Sequence, residues 1–96
     1  MDFRVGIKDP AIADLAEIVS YIAQDNPEAA TALGNNLLDA ALSLTQAPYK
    51  GSTYQALPGV RKLTLRPFKI FYRVREARKV VEVLRFWHSA RSEPKL

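Results

Sequence analysis

The spacing of apolar residues along this chain changes once, from a repeat of about 3.6 to a repeat of 2, and that switch restricts the folds open to it. In the first half, Ile12, Leu15, Val19 and Ile22 form one stripe, widened by Ala16, Ile18 and Ala23, while Asp14, Glu17, Ser20 and Gln24 fall on the other side. Ala30, Leu33, Leu37, Ala40, Ala41 and Leu44 form a second stripe, with Leu38 and Leu42 beside it as surplus apolar area for a partner or a homodimer contact. From Val60 onward the pattern alternates. Leu63 and Leu65 oppose Lys62, Thr64 and Arg66, and Phe68, Ile70, Tyr72 and Val74 oppose Lys69, Phe71, Arg73 and Arg75.

Local signals set the boundaries. Asp9-Pro10 reads as a helix cap followed by proline at the first helical position, where a missing N–H costs nothing. Asp25-Asn26-Pro27-Glu28 repeats the signal, so the first helix ends near Gln24, the second starts at Pro27, and Pro48 closes it. Gly34 inside the second helix costs up to ~1 kcal/mol relative to alanine and points to a close helix–helix contact. Phe3 to Ile7 reads as a short strand, and Tyr49 to Gly59, rich in turn formers, as a surface loop. Glu76-Ala77-Arg78 is short enough for a hairpin turn, and Val80 to Trp87 is a nearly continuous apolar run, as in a central strand. The expected fold is α+β in the order β-α-α-β-β-β: a mainly antiparallel sheet with a helical hairpin on one face and the other face partly open.

At 96 residues the chain is expected to form a single domain over 1–96, with 92–96 as a flexible tail. It has no cysteine and one histidine, which excludes a disulfide framework and makes a zinc site an unpromising reading; no metal or cofactor is implied. No apolar run approaches the ~18 residues of a membrane span, so a cytoplasmic protein with no membrane partner is expected.

Charge is segregated between the halves. Residues 1–48 carry two basic and seven acidic side chains, and residues 49–96 twelve basic and three acidic. The expected sheet gathers these cations into an outward row, Lys62, Arg66, Lys69 and Arg73, and a strand-end group, Arg85, His88 and Arg91. Any one of them also serves as a solvated charge that discourages edge-to-edge pairing, and His88 as a cap on the last strand. As a cluster they fit a surface that meets phosphates or an acidic partner.

Three segments in this order, Pro58-Gly59-Val60-Arg61-Lys62-Leu63, Phe68-Lys69-Ile70-Phe71-Tyr72-Arg73-Val74 and Val80-Val81-Glu82-Val83-Leu84-Arg85, followed by His88 and Arg91, resemble the RelE/ParE superfamily of bacterial type II toxin–antitoxin toxins. The resemblance runs from Phe3 to about Arg91. It implies a growth-inhibiting toxin, of the kind linked to plasmid stabilisation, whose basic face is covered by the C-terminal segment of a cognate antitoxin. RelE-like members cut messenger RNA on the ribosome without a metal, and ParE-like members poison DNA gyrase.

RNA cleavage by a 2′-hydroxyl needs a base, a cation for the developing phosphorane and a donor for the leaving oxygen. Arg61, Arg85, His88 and Arg91 are the catalytic candidates, and Lys62, Arg66, Lys69 and Arg73 the binding ones. No acid lies between Asp39 and Glu76, and Ser89, Ala90 and the closing Pro94-Lys95-Leu96 stand where RelE-like members carry an arginine or tyrosine. The expectation is therefore a ParE-like toxin acting on gyrase or another non-nucleolytic target. Ribosome-dependent RNA cleavage and a non-toxic nucleic-acid-binding module are the alternatives.

Overall fold

Asn26 and Pro27 mark the bend of the helical hairpin. In a computed structural model, which describes residues 2–96, α1 (Asp9–Ala23) ends just before this bend and α2 (Pro27–Leu42) returns against α1. The Asn26 Oδ1 accepts the Ala29 N–H at 3.0 Å, the cap the sequence signals. At α1 the signal is displaced by one residue. Lys8 occupies the cap with no side-chain bond, and Asp9 lies in the first turn, where its charge favours the N-terminal end of the helix dipole. A Cβ on Gly34 would stand 3.1 Å from Val19 Cγ2, so the glycine does mark the close approach of the two helices.

α2 stops at Leu42 and tightens into a 3-10 turn, Ser43–Thr45, instead of running on toward Pro48. The Ser43 hydroxyl, donating to Ala40 O at 2.6 Å, gives the chain an alternative to the helical bond there.

Two-residue and nine-residue strands share one sheet. β1 (Arg4–Ile7), β2 (Ser52–Thr53), β3 (Val60–Leu65), β4 (Phe68–Arg75) and β5 (Val80–His88) stand in the order β1-β5-β4-β3-β2. β1 runs parallel to β5 and every other pair is antiparallel. The apolar run of β5 is thus interior, as expected. β2 is an addition to the expected sheet; two residues are too few to show a period. Between β4 and β5 the 3-10 turn Glu76–Arg78 is closed by Lys79 at φ 54°, a left-handed position usually given to glycine.

The β4–β5 register slips once. Phe71 opposes Arg85 but Tyr72 opposes Val83, so Leu84 is the extra residue of a β-bulge. Before the bulge Val81 and Val83 face the helices; beyond it Phe86 and His88 do. β5 reads as a continuous apolar run because its other face is apolar as well, with Leu84 and Trp87 packed in a cluster there.

The helix side holds two buried clusters. Ala11, Leu37, Ala41, Phe68, Ile70, Val83 and Phe86 form one, and Phe3, Leu44, Tyr72 and Val81 the other. The α1 stripe is rotated from the one expected: Ala11 is buried, Ile12 is 53% exposed, and Asp14 turns in toward the sheet. The opposite face is less open than the alternation implies. Tyr54, Val60, Phe71 and Trp87 make a third buried cluster there, because the segment after β2 folds the Tyr54 ring edge-on over Phe71 at 5.1 Å. Burying an aromatic of that size stabilises by about 2–3 kcal/mol.

Residues 92–96, expected as a flexible tail, lie back along β5. The Trp87 Nε1–H donates to Ser92 O at 2.7 Å and Pro94 is buried.

Candidate functional site

The face away from the helices carries the basic row above its aromatic floor. Strand parity puts Lys62 opposite Phe71, Lys69 opposite Thr64, and Arg73 between Val60 and Glu82. Arg66 stands exposed in the turn after β3. Among the described residues the ion pairs are Lys8–Glu82, Arg75–Glu82, Lys79–Glu76 and Arg85–Asp14, so all four members of the row remain free of carboxylate partners. Their charges add to one positive potential over the face. Burial raises the Glu82 pKa, but Arg75 and Lys8 outweigh it and hold the carboxyl below its usual value. An acid held ionised between two cations is a weak proton acceptor.

Three of the four catalytic candidates have structural engagements. Arg61 lies on the helix side, where its Nη1 donates to Gly51 O at 2.6 Å and to Tyr49 O at 3.2 Å, with the guanidinium 5.1 Å from the Tyr49 ring. Beside it the Tyr72 hydroxyl accepts the Gly51 N–H at 3.0 Å. Burial raises the Tyr72 pKa, partly offset by the Gly51 N–H and by the charge of Arg61. A Cβ on Gly51 would come within 2.7 Å of both Lys62 O and the Tyr72 hydroxyl, so only glycine fits between them. Arg61 and Tyr72 together anchor the start of β2.

Arg85 reaches round the free edge of β5 beyond Ile7 to Asp14. Its Nε donates to Oδ2 at 2.6 Å and its Nη2 to Oδ1 at 2.8 Å, and the same carboxylate accepts the Phe86 N–H at 3.2 Å. This paired bond raises the Arg85 pKa above its ordinary value, although partial burial opposes it. His88 Nδ1 accepts the Ala90 N–H at 3.0 Å, and its ring meets Phe68 edge-on at 5.2 Å. His88 thus does cap the strand end. Arg91 is exposed and stacks at 4.1 Å on the Trp87 ring, with Arg85 at 4.7 Å from the same ring.

The sheet therefore assembles some of these residues and separates others. Lys62, Lys69 and Arg73 share one face; Arg85, Trp87 and Arg91 gather at its far end. Arg61 ranks with Tyr72, and His88 with Phe68, four residues along β4. At ~3.4 Å per residue that is a separation of about 14 Å. Both also lie on the opposite face from the lysines. His88 and Arg91 border a separate groove of about 540 Å³ between α1 and the sheet, floored by Ile18, Ile22, Phe68 and Phe86. Among the described residues no three His, Asp or Glu side chains group as metal ligands.

Sequence reasoning passed over Asp14 and Gly51 as parts of this arrangement. Asp14 carried a usable signal, since it sits three residues after Ala11 and four before Ile18, on the face α1 buries.

The family model described as the ParE toxin of type II toxin–antitoxin system, parDE, matches residues 5–93. This chain belongs to the ParE toxin family. Among solved structures, the chain is 29% identical to a component of the chromosomal ParDE toxin–antitoxin system from P. aeruginosa, at a TM-score of 0.76 over 90% of this chain and 95% of that one. The fold is also that of the RelBE2 toxin–antitoxin complex from Mycobacterium tuberculosis, at 18% identity and TM-score 0.66 over 92% and 99% of the two chains. A mutant of the E. coli RelE toxin in the free state matches at 16% identity and TM-score 0.70 over 96% and 88%. A search of curated proteins gave no match. The ParE-family reading places this toxin in the superfamily that its three strand motifs resemble. Among the described residues it has no helix long and apolar enough to cross a membrane.

Proposed function

We propose that this ParE-family toxin arrests growth by inhibiting DNA gyrase or another target without cutting RNA, and that a cognate antitoxin neutralises it by covering the basic face. The observation that carries this reading is the dispersal of the catalytic candidates. Arg61 is tied to loop carbonyls and Arg85 to Asp14, while His88 lies on the face opposite the lysine row. The carboxylate set into the basic face, Glu82, is neutralised by Arg75 and Lys8. A 2′-hydroxyl held against Lys62, Lys69 and Arg73 thus has no group beside it suited to take its proton. What remains is an electropositive surface over aromatic residues, suited to an acidic segment whose side chains pair with the row and whose approach the field accelerates.

Purified toxin is tested in parallel on gyrase supercoiling and on translating ribosomes. Loss of supercoiling or accumulation of cleaved DNA, with messenger RNA intact, is the expected result. Cleaved messenger RNA that disappears on His88→Ala or Arg61→Met substitution refutes the reading in favour of a ribosome-dependent nuclease. No growth arrest on tightly induced expression refutes it in favour of a non-toxic nucleic-acid-binding module.

A further inference from the structure

The groove between α1 and the sheet, of about 540 Å³, falls within the ~300–1,000 Å³ typical of small-molecule sites, and the proposed function makes no use of it. Its walls are apolar and come from four elements: Ile18 and Ile22 from α1, Leu33 from α2, Phe68 from β4 and Phe86 from β5. Phe86 is 1% exposed and Phe68 5%, so the floor is held in place by the core and is formed before anything binds.

The polar groups at the rim differ between the two sides. On the strand side, His88 Nδ1 accepts the Ala90 N–H at 3.0 Å, so the neutral ring carries its proton on Nε2. Nε2 is thus the donor left over, on a ring that lines the groove. The Arg91 N–H donates to His88 O at 3.1 Å, and this turn brings the Arg91 guanidinium to the same rim. Stacking on the Trp87 ring leaves the edge of that guanidinium free to donate, and Arg91 joins none of the ion pairs among the described residues. On the α1 side stand two carboxylates. Both oxygens of Asp14 already accept, from Arg85 and from the Phe86 N–H, and Glu17 is exposed, where water screens its charge. One end of an apolar cleft therefore offers two uncommitted donors, one of them cationic. The matching ligand has an apolar chain ending in an anionic oxygen group. We infer that this groove binds an alkyl carboxylate, with the chain on Ile18, Ile22, Phe68 and Phe86 and the carboxylate on His88 and Arg91.

The test titrates decanoate, below its micelle concentration and at neutral pH, into the full chain, whose single histidine gives one set of imidazole resonances. The expected result is a saturable shift of the His88 ring, with nuclear Overhauser contacts from the decanoate chain to the Ile18 and Ile22 methyl groups. Octanoate, two methylenes shorter, binds about tenfold more weakly. Decanol and decylamine, which offer the two donors no anion, also bind about tenfold more weakly. Arg91→Gln weakens decanoate binding about tenfold, and Glu17→Gln, which removes the acid across the groove, strengthens it about twofold. Both side chains are exposed, so neither change disturbs the core. Decanol bound as tightly as decanoate, an unchanged affinity in Arg91→Gln, or no saturable shift overturns the inference. So does a shift that follows protein concentration alone and accompanies a doubled mass in sedimentation, which assigns the groove to a second copy of the chain. The assay needs neither gyrase nor antitoxin, so its outcome is independent of the proposed function.

Discussion

Asp14 and Arg85, 71 residues apart in sequence, decide whether a basic strand-end residue is structural or available for chemistry. Replacing Asp14 by alanine removes both carboxylate bonds to Arg85 and the acceptor of the Phe86 N–H. Breaking a fully buried pair costs about 3–5 kcal/mol, because the surviving charge is left without compensation. Here the Asp14 side chain is 11% exposed and that of Arg85 23%, so water recovers part of that charge's solvation. About 1–2 kcal/mol remains for the guanidinium, and the unpaired Phe86 N–H adds ~1 kcal/mol. The expected loss is therefore ~2–3 kcal/mol, or a fall in Tm of roughly 10–20 °C for a domain of this size. Thermal and urea unfolding followed by circular dichroism at neutral pH measure it. In an Arg85→Met background the same substitution should cost ~1–2 kcal/mol less, the coupling that a double-mutant cycle isolates. A loss below ~0.5 kcal/mol, or additive single effects, would refute the assignment and return Arg85 to the candidates for chemistry.

Gly51→Ala forces a Cβ against Lys62 O and should destabilise by more than ~2 kcal/mol in urea, with little change for Gly59→Asn, whose added Cβ meets nothing within 4 Å and whose left-handed φ of 86° asparagine tolerates. Tyr72→Phe leaves the Gly51 N–H without its acceptor and should cost ~1–2 kcal/mol by the same assay. Because the folded pKa of Tyr72 is raised above 10.0, the unfolded chain ionises first; stability should be intact below pH 10 and fall above it, and Tyr72→Phe should flatten that fall. Glu82 has the opposite sign: its lowered folded pKa contributes stability above the ordinary 4.5 that is lost as pH drops below it, so Glu82→Gln should reduce acid sensitivity by well under ~1 kcal/mol, as expected for a pair with exposed partners.

The parts of the fold legible in the sequence are those written in short-range chemistry. Asn26 before Pro27 caps α2, Gly34 permits the helix contact, and the alternation in Phe68–Arg75 matches β4 at both ends. What escaped depends on pairing at long range. The Leu84 bulge is a property of two strands at once, and no pattern within Val80–His88 distinguishes a strand buried on both faces from one that changes face midway. The same holds for the site. The row Lys62, Lys69 and Arg73 follows from period two, but the ties of Arg61 to Gly51 and of Arg85 to Asp14 need the third dimension.

That bulge has a consequence for function. Without the extra residue, strict alternation from Val83 would place His88 on the face opposite Val83, alongside Lys69; with it, His88 turns toward Phe68 and the α1 groove. The basic second half of the chain is thereby divided between two surfaces with different chemistry. A partner that neutralises Lys62, Lys69 and Arg73 by charge lies over Tyr54, Phe71 and Trp87, while a group that meets His88 must enter an apolar groove behind the sheet. One ligand can engage both only by passing the strand end at Arg91. Substitutions in the lysine row and at His88 should therefore act on separate binding steps, with additive effects on free energy.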